Sequence, residues 1–137
     1  MIMDKDLCLM TDTAVTESAA TTDYFASGAV QNVLGEQLYL QAICTTTCDS
    51  ANDTATVVLS VQVDDANTFG SPTTLASSAA FAIGSAELTA GGRILVPIPF
   101  NAVAADKYLR GYFTVGTQNL NAGKFTVDIV KNPARNL

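Results

Sequence analysis

The sequence contains no histidine and no tryptophan, and only 15% of its residues are charged. Because histidine is the commonest general base and the usual activator of a nucleophile, its absence argues against a serine or cysteine hydrolase. Acidic residues outnumber lysine and arginine by 13 to 7, which gives a net charge of −6. Since nucleic acids are bound through basic side chains that neutralise phosphates, we expect no nucleic-acid partner.

The chain also lacks any run that approaches the ~20 continuous apolar residues of a membrane-spanning helix. Its first ten residues, MIMDKDLCLM, contain acids and no apolar stretch long enough for a signal peptide. No glycine-rich phosphate loop follows a strand and opens a helix. We therefore expect no membrane partner, no export and no cofactor.

Apolar residues are nevertheless abundant, at 48% of the chain, and the mean hydropathy is +0.26. A small soluble domain usually needs less than this to fill its interior. We therefore expect part of the apolar surface to be covered by a partner or by further copies of the chain.

The three cysteines are Cys8, Cys44 and Cys48, and three thiols cannot all pair within one chain. Without an export signal we expect them to be reduced. Cys44 and Cys48 form the only close pair, and a zinc site would need further ligands that a sequence without histidine does not offer nearby. The simplest interpretation is one buried strand cysteine and one loop cysteine, so we predict no metal site.

Alternation of apolar and polar residues predicts short strands, with almost no helical periodicity. The residues predicted to face the core are Leu38, Leu40, Ala42, Cys44, Val57, Leu59, Val61, Val63, Leu109, Gly111, Phe113, Val115, Phe125, Val127 and Ile129. Pro97 and Pro99 indicate an edge strand, because proline donates no ladder hydrogen bond. Turn residues between Gly116 and Gly123 predict that the last two strands form an antiparallel hairpin.

These patterns indicate an all-β protein, a single β-sandwich domain of antiparallel strands spanning residues 1–137. Periodicity does not distinguish an immunoglobulin-like from a jelly-roll strand order. Residues 131–137 are expected to form a loose tail, and residues 11–34 an extended arm, a short strand or a surface loop.

Two adjacent aspartates, Asp64 and Asp65, are the most obvious carboxylate pair. Neighbouring residues of a strand point to opposite faces, so the two could share a substrate only if the strand ended between them. A calcium ion would need six or more oxygen ligands, and too few acids lie nearby. We therefore predict no catalytic role, and expect this pair to close a strand and order a turn by accepting backbone N–H groups.

Tyr108, Arg110 and Tyr112 alternate along one predicted strand face. Tyrosine and arginine are favoured at interface hot spots, although an arginine lying over tyrosine rings on a half-exposed sheet would show the same pattern. We predict a contact surface here. Ile2, Leu7 and Leu9 complete the candidate interface, since residues 1–10 could form an arm that adds to a neighbouring sheet edge. An N-terminal strand of the sandwich itself would look the same.

Several stretches, in this order, resemble the small capsid cement, or decoration, proteins of tailed bacteriophages, of the kind found on the head of a Bordetella phage. They are MIMDKDLCL, GEQLYLQAICTTT, VVLSVQVDDANTFGSPTTLASS, LTAGGRILVPIPF, KYLRGYFTVGT and NAGKFTVDIV. The resemblance covers most of the chain and is poorest over residues 14–34. It implies a jelly-roll β-sandwich that binds the outer capsid surface, bridges major capsid proteins and performs no catalysis.

The same resemblance implies a virion protein that is made in the host cytoplasm and needs no export signal. We expect a homo-oligomer, a trimer or a dimer, because closed symmetry is the default for soluble oligomers. The alternative function is a carbohydrate-binding β-sandwich that uses Tyr108 and Tyr112 as stacking platforms. The absence of tryptophan, which offers the largest ring face, argues against it.

Overall fold

The alternating segments of the sequence form β-strands. The computed structural model describes residues 8–26, 37–99 and 108–131. Within these residues the strands are β1 (Cys8–Ala14), β2 (Ala19–Ala20), β3 (Phe25–Ala26), β4 (Leu38–Asp49), β5 (Thr56–Asp64), β6 (Thr73–Ser77), β7 (Phe81–Ala82), β8 (Arg93–Pro97), β9 (Tyr108–Gly116) and β10 (Ala122–Lys131). A short 3-10 helix, Ala86–Leu88, lies between β7 and β8.

The strands form two antiparallel sheets. The first sheet has the order β1-β10-β4-β8, and the second has the order β2-β9-β5-β6, with β3 also paired to β9 and β7 to β5. The predicted all-β sandwich is confirmed. Strand β5 pairs with β6, β4 with β8, β2 and β3 with β9, and β1 with β10. These nested pairs are those of one long hairpin rolled over both sheets, which is the jelly-roll arrangement.

The core lies between the two sheets and contains most of the side chains that the alternation predicted, although Leu38 and Val115 are only partly buried. In β5 the inward residues Val57, Leu59, Val61 and Val63 are all buried, and the inward residues of β4, β9 and β10 pack against them. The rings of Phe113 and Phe125 meet across the sandwich with centroids 4.8 Å apart. Burying each such large apolar side chain stabilises the fold by roughly 1.5–3 kcal/mol.

Gly111 lets the two sheets approach each other in the middle of β9. A Cβ atom at this position would lie 2.9 Å from Cγ2 of Thr21 and 3.2 Å from Cδ2 of Leu40. Such contacts are too short for a carbon atom to be added without movement of its neighbours. The absence of a side chain at Gly111 is therefore a condition for the close packing around it.

The predicted hairpin of the last two strands is wrong. Strand β9 lies in the second sheet and β10 in the first, so the segment between them crosses from one sheet to the other. Leu120 is buried in this crossing, and the N–H of Asn121 donates to the carbonyl of Asp49 at 2.8 Å. Turn residues show that the chain changes direction, but they do not show which sheet receives it. The edge-strand prediction is confirmed, because β8 ends at Pro97 on the edge of the first sheet.

Both clustered cysteines lie in β4, so the prediction that one of them is a loop residue is wrong. Cys44 and Cys48 are buried, and both thiols and that of Cys8 are free. Burial raises the pKa of the Cys44 thiol, and burial beside Cys44 raises the pKa of Cys48 to about 12. A Cβ atom on Gly123 would lie 2.8 Å from the Cys48 sulfur, so glycine provides the space for this thiol.

The described part of the N-terminal segment belongs to the sandwich. Cys8 and Met10 pair with Asp128 and Val127 of β10. Of the two alternatives, an arm or an N-terminal strand of the sandwich, these residues therefore form the strand. Leu9 is fully buried in the core, so its assignment to the interface is wrong: an apolar side chain packed inside the chain's own sandwich cannot contact a partner. Ile2 and Leu7 lie outside the described residues. Of the predicted tail, Lys131 is the last residue of β10, and residues 132–137 lie outside the described range.

Candidate functional site

Strand β9 places the three predicted contact residues together on the outer face of the second sheet. Tyr108, Arg110 and Tyr112 are half-buried and alternate with inward residues of β9. Across from them on β5 lie, in the same order, Asp64, Gln62 and Ser60. The predicted alternation is therefore confirmed, and it places a row of two tyrosines and an arginine next to a row of non-aromatic polar side chains.

Two further aromatic residues, Tyr24 and Phe69, join this row from distant parts of the chain. The Tyr24 ring meets the Tyr108 ring edge-on at a centroid distance of 5.3 Å, and it lies 6.2 Å from the Phe69 ring. The side-chain amide of Asn67 donates to the Tyr24 hydroxyl at 3.2 Å. Tyr24 itself is 45% exposed. We call Tyr24, Phe69, Tyr108, Arg110 and Tyr112 the aromatic–arginine surface.

Arg110 is held in the middle of this surface before any partner binds. Its guanidinium carbon lies 4.3 Å from the centroid of the Phe69 ring and 5.5 Å from that of Tyr112. Both distances are in the range of cation–π attraction. Its Nε donates to Oε1 of Gln62 at 2.9 Å. Partial burial lowers the pKa of Arg110, but an arginine remains charged at neutral pH.

A turn that begins at Asp64 positions the Phe69 ring. The Asp64 Oδ1 accepts the backbone N–H groups of Asp65 at 2.6 Å and Ala66 at 3.5 Å, and Oδ2 accepts that of Ser71 at 2.9 Å. These bonds, the one from Ser71 first, hold the pKa of Asp64 below its usual range. Because β5 ends at Asp64, the prediction that this residue closes a strand and orders a turn is confirmed.

Phe69 adopts a backbone conformation that is uncommon for an aromatic residue. Its φ is +50°, and its N–H donates to the carbonyl of Ala66 at 3.1 Å. A bulky residue in the left-handed region costs free energy unless its surroundings compensate. Here the ring is buried against the Arg110 guanidinium. The turn conformation and the cation–π contact therefore support each other.

Sequence reasoning missed Tyr24 and Phe69. Phe69 was visible as the single aromatic residue in a turn of aspartate, asparagine, glycine, serine and proline, where no core position explains it. Tyr24 lies in the segment with the weakest pattern. Nothing in the spacing relates either residue to β9, because the contacts are made only once the sandwich has formed.

The described residues contain no group of three or more cysteine, aspartate or glutamate side chains placed to hold a metal ion. In the same residues no helix is long and apolar enough to cross a membrane. The aromatic–arginine surface offers aromatic rings, tyrosine hydroxyls and a guanidinium, which are groups that bind another molecule by packing and hydrogen bonding.

A comparison with protein families gives a match over most of the chain. The model of the Bbp16 family matches residues 9–129, so the chain belongs to that family. The family name suggests a protein of a Bordetella phage and is consistent with a phage structural protein. No curated protein matches the chain.

Proposed function

We propose that this member of the Bbp16 family is a structural virion protein that binds the outer surface of a phage capsid and stabilises it by bridging major capsid proteins. The family match over residues 9–129 carries the proposal, because it connects the chain with a phage. In this proposal the protein is not an enzyme, takes no cofactor, and binds neither nucleic acid nor membrane.

The aromatic–arginine surface supports docking on a protein. Tyrosine and arginine contribute most of the binding energy in many interfaces. Tyr24, Tyr108 and Arg110 are already held by ring contacts and hydrogen bonds, so little side-chain freedom remains to be lost on binding. A rigid sandwich that presents such a surface is suited to clamping an assembled shell.

We also propose that the protein acts as a homo-oligomer, a trimer or a dimer. Linking two or three weak capsid contacts raises avidity by roughly a hundredfold or more. The high apolar content of the sequence does not support an oligomer, because Tyr24 is the single exposed large hydrophobic side chain among the described residues. Closed symmetry and avidity are its support.

The carbohydrate-binding alternative is less well supported by the same surface. It requires open ring faces on Tyr108 and Tyr112. The Tyr108 ring already packs edge-on against Tyr24, and the Arg110 guanidinium lies over the Tyr112 ring. These contacts favour a protein partner over a stacked sugar.

The test is to add the purified protein to phage heads that lack it and to measure binding and the temperature at which the heads rupture. We expect the wild type to bind and raise this temperature. Tyr24→Ala should weaken binding about tenfold, the effect of one hot-spot residue. Lys124→Gln, an exposed change on the first sheet, is the matched control and should bind like the wild type.

Failure of the full-length protein to bind heads or to change their rupture temperature would refute the cement function. A glycan array would then test the carbohydrate alternative. Light scattering of the purified protein tests the oligomer separately, since a monomer at working concentrations contradicts the trimer or dimer.

A further inference from the structure

Arg110 uses only part of its hydrogen-bonding capacity among the residues that the structure describes. Its Nε donates to Gln62, and its guanidinium plane lies against Phe69 and Tyr112. In the described part of the chain neither Nη nitrogen donates a hydrogen bond. A guanidinium presents its Nη donors as a rigid fork that matches the two oxygens of a carboxylate.

The acidic group whose charge acts on Arg110 does not fill this position. Asp64 lies diagonally across from Arg110 on β5, but its two oxygens are bound to backbone N–H groups of the turn. The described residues contain no ion pair between the two side chains. Within the described residues Asp64 therefore acts on Arg110 through its charge alone, and the Nη donors of this oriented cation face a surface whose most exposed ring is Tyr24.

We propose that the aromatic–arginine surface is a carboxylate-binding subsite, which takes an aspartate or glutamate side chain of the partner protein. The carboxylate accepts N–H bonds from the two Nη nitrogens of Arg110, while the aliphatic part of that side chain packs beside the Tyr24 ring. The identity of the partner as a capsid protein rests on the proposed function. The chemistry of the subsite rests on Arg110 alone.

Two physical effects determine which carboxylates this subsite can bind. The guanidinium is already stacked and partly desolvated, so a charge-assisted bond to it costs little further ordering. At the same time the chain carries a net charge of −6, which repels an acidic surface within a Debye length of about 8 Å. We therefore expect a partner surface that carries one or two carboxylates and is otherwise neutral or basic.

Head binding by Arg110 variants tests the subsite. Arg110→Gln removes the charge, Arg110→Lys keeps the charge without the fork, and thermal unfolding shows whether each variant folds. We expect binding to weaken about tenfold in Arg110→Gln and less in Arg110→Lys, and the wild-type affinity to fall with salt more steeply than that of Arg110→Gln. Wild-type binding by Arg110→Gln, together with loss of binding in Tyr24→Ala, would overturn the carboxylate subsite and leave the cement function intact.

A second measurement does not depend on phage heads. The Arg110 Nε–H signal is followed by NMR while N-acetyl-glutamate methylamide is added, with N-acetyl-glutamine methylamide as the uncharged control at the same ionic strength. We expect the glutamate compound to shift this signal and the glutamine compound to leave it in place. Equal responses, or a glycan that binds through Tyr24 independently of Arg110, would refute the subsite even if the heads are bound.

Discussion

Asp64 and Asp128 both occupy outward positions on interior strands, β5 and β10, yet their carboxyl groups lie in opposite environments. Asp64 is partly exposed and accepts backbone N–H groups on both oxygens. Asp128 is 1% exposed, and among the described residues its only side-chain hydrogen bond comes from Gln41, at 3.4 Å to Oδ1. Its Oδ2 is buried and has no hydrogen-bond partner within residues 8–26, 37–99 and 108–131.

The pKa values of the two residues shift in opposite directions for these reasons. Backbone hydrogen bonds lower the pKa of Asp64, whereas burial raises the pKa of Asp128 more than Gln41 lowers it. The comparison shows that an outward position on a sheet does not by itself place a side chain in water. The outer face at Asp128 and Gln41 is buried, and the aromatic–arginine surface on the other sheet keeps Tyr24 exposed. This difference is why we propose that the second sheet, and not the first, binds the partner.

The largest effect is expected when Asp128 loses the hydrogen bond from Gln41. Gln41→Ala removes the amide donor and leaves a fully buried void beside the carboxyl, which should destabilise the protein by about 2–3 kcal/mol. Gln62→Ala, at an outward position of β5, is the control and should cost less. Urea unfolding at neutral pH measures both variants. Equal losses would show that the two outer faces do not differ as described.

A smaller effect, with a defined pH dependence, is expected from Asp128→Asn. Because the folded-state pKa of Asp128 is raised above the unfolded value of about 3.9, this carboxyl favours folding when protonated. That contribution is lost as the pH rises through the folded-state pKa. Asp128→Asn should therefore be more stable than the wild type at about pH 8, by on the order of 1 kcal/mol, and nearly equal to it at low pH. If the wild type is more stable than Asp128→Asn at high pH, ionising the buried carboxyl does not destabilise the fold as described.

Asp64 should show the opposite pH dependence and a smaller effect. Its lowered pKa means that its contribution is present above the unfolded pKa and is lost as the pH falls through the folded value, below about 4. Asp64→Ala should lower Tm more than Asp64→Asn, which keeps one acceptor oxygen but cannot accept from both Asp65 and Ser71. The Tm difference between each variant and the wild type should shrink at low pH. Thermal unfolding across this range would refute the turn role if the two variants have the same Tm.

Thiol labelling compares the exposure of the three cysteines without a mutation. Cys8 is half-buried and pairs in register with Asp128, whereas Cys44 and Cys48 are buried and burial raises the pKa of both thiols. Iodoacetamide at about pH 8 should modify Cys8 first and the other two only on unfolding, where all three react. Mass spectrometry of the native protein gives the order. Early modification of Cys48 would show that the core at β4 opens.

Much of the fold could be predicted from local pattern. The inward rows of β5, β9 and β10 follow from alternation, because one face of each strand must be apolar to be buried. The edge position of β8 follows from Pro97, which lacks a donor. Tyr108, Arg110 and Tyr112 share a face because every second side chain of a strand points to the same side. Leu9 shows where this reasoning fails, since an alternating strand does not reveal whether its apolar face meets its own core or a partner.

The sequence by itself therefore determined that β4, β5, β8, β9 and β10 are strands, which faces of these strands are apolar, and that Asp64 ends one of them, because these properties depend on neighbours along the chain. Only the tertiary structure decided that β9 and β10 lie in different sheets, that Tyr24 and Phe69 enclose Arg110, and that Asp128 is buried. The physical reason is that these contacts join residues distant in sequence. Their free energy depends on which sheet receives each strand, and no local spacing encodes that.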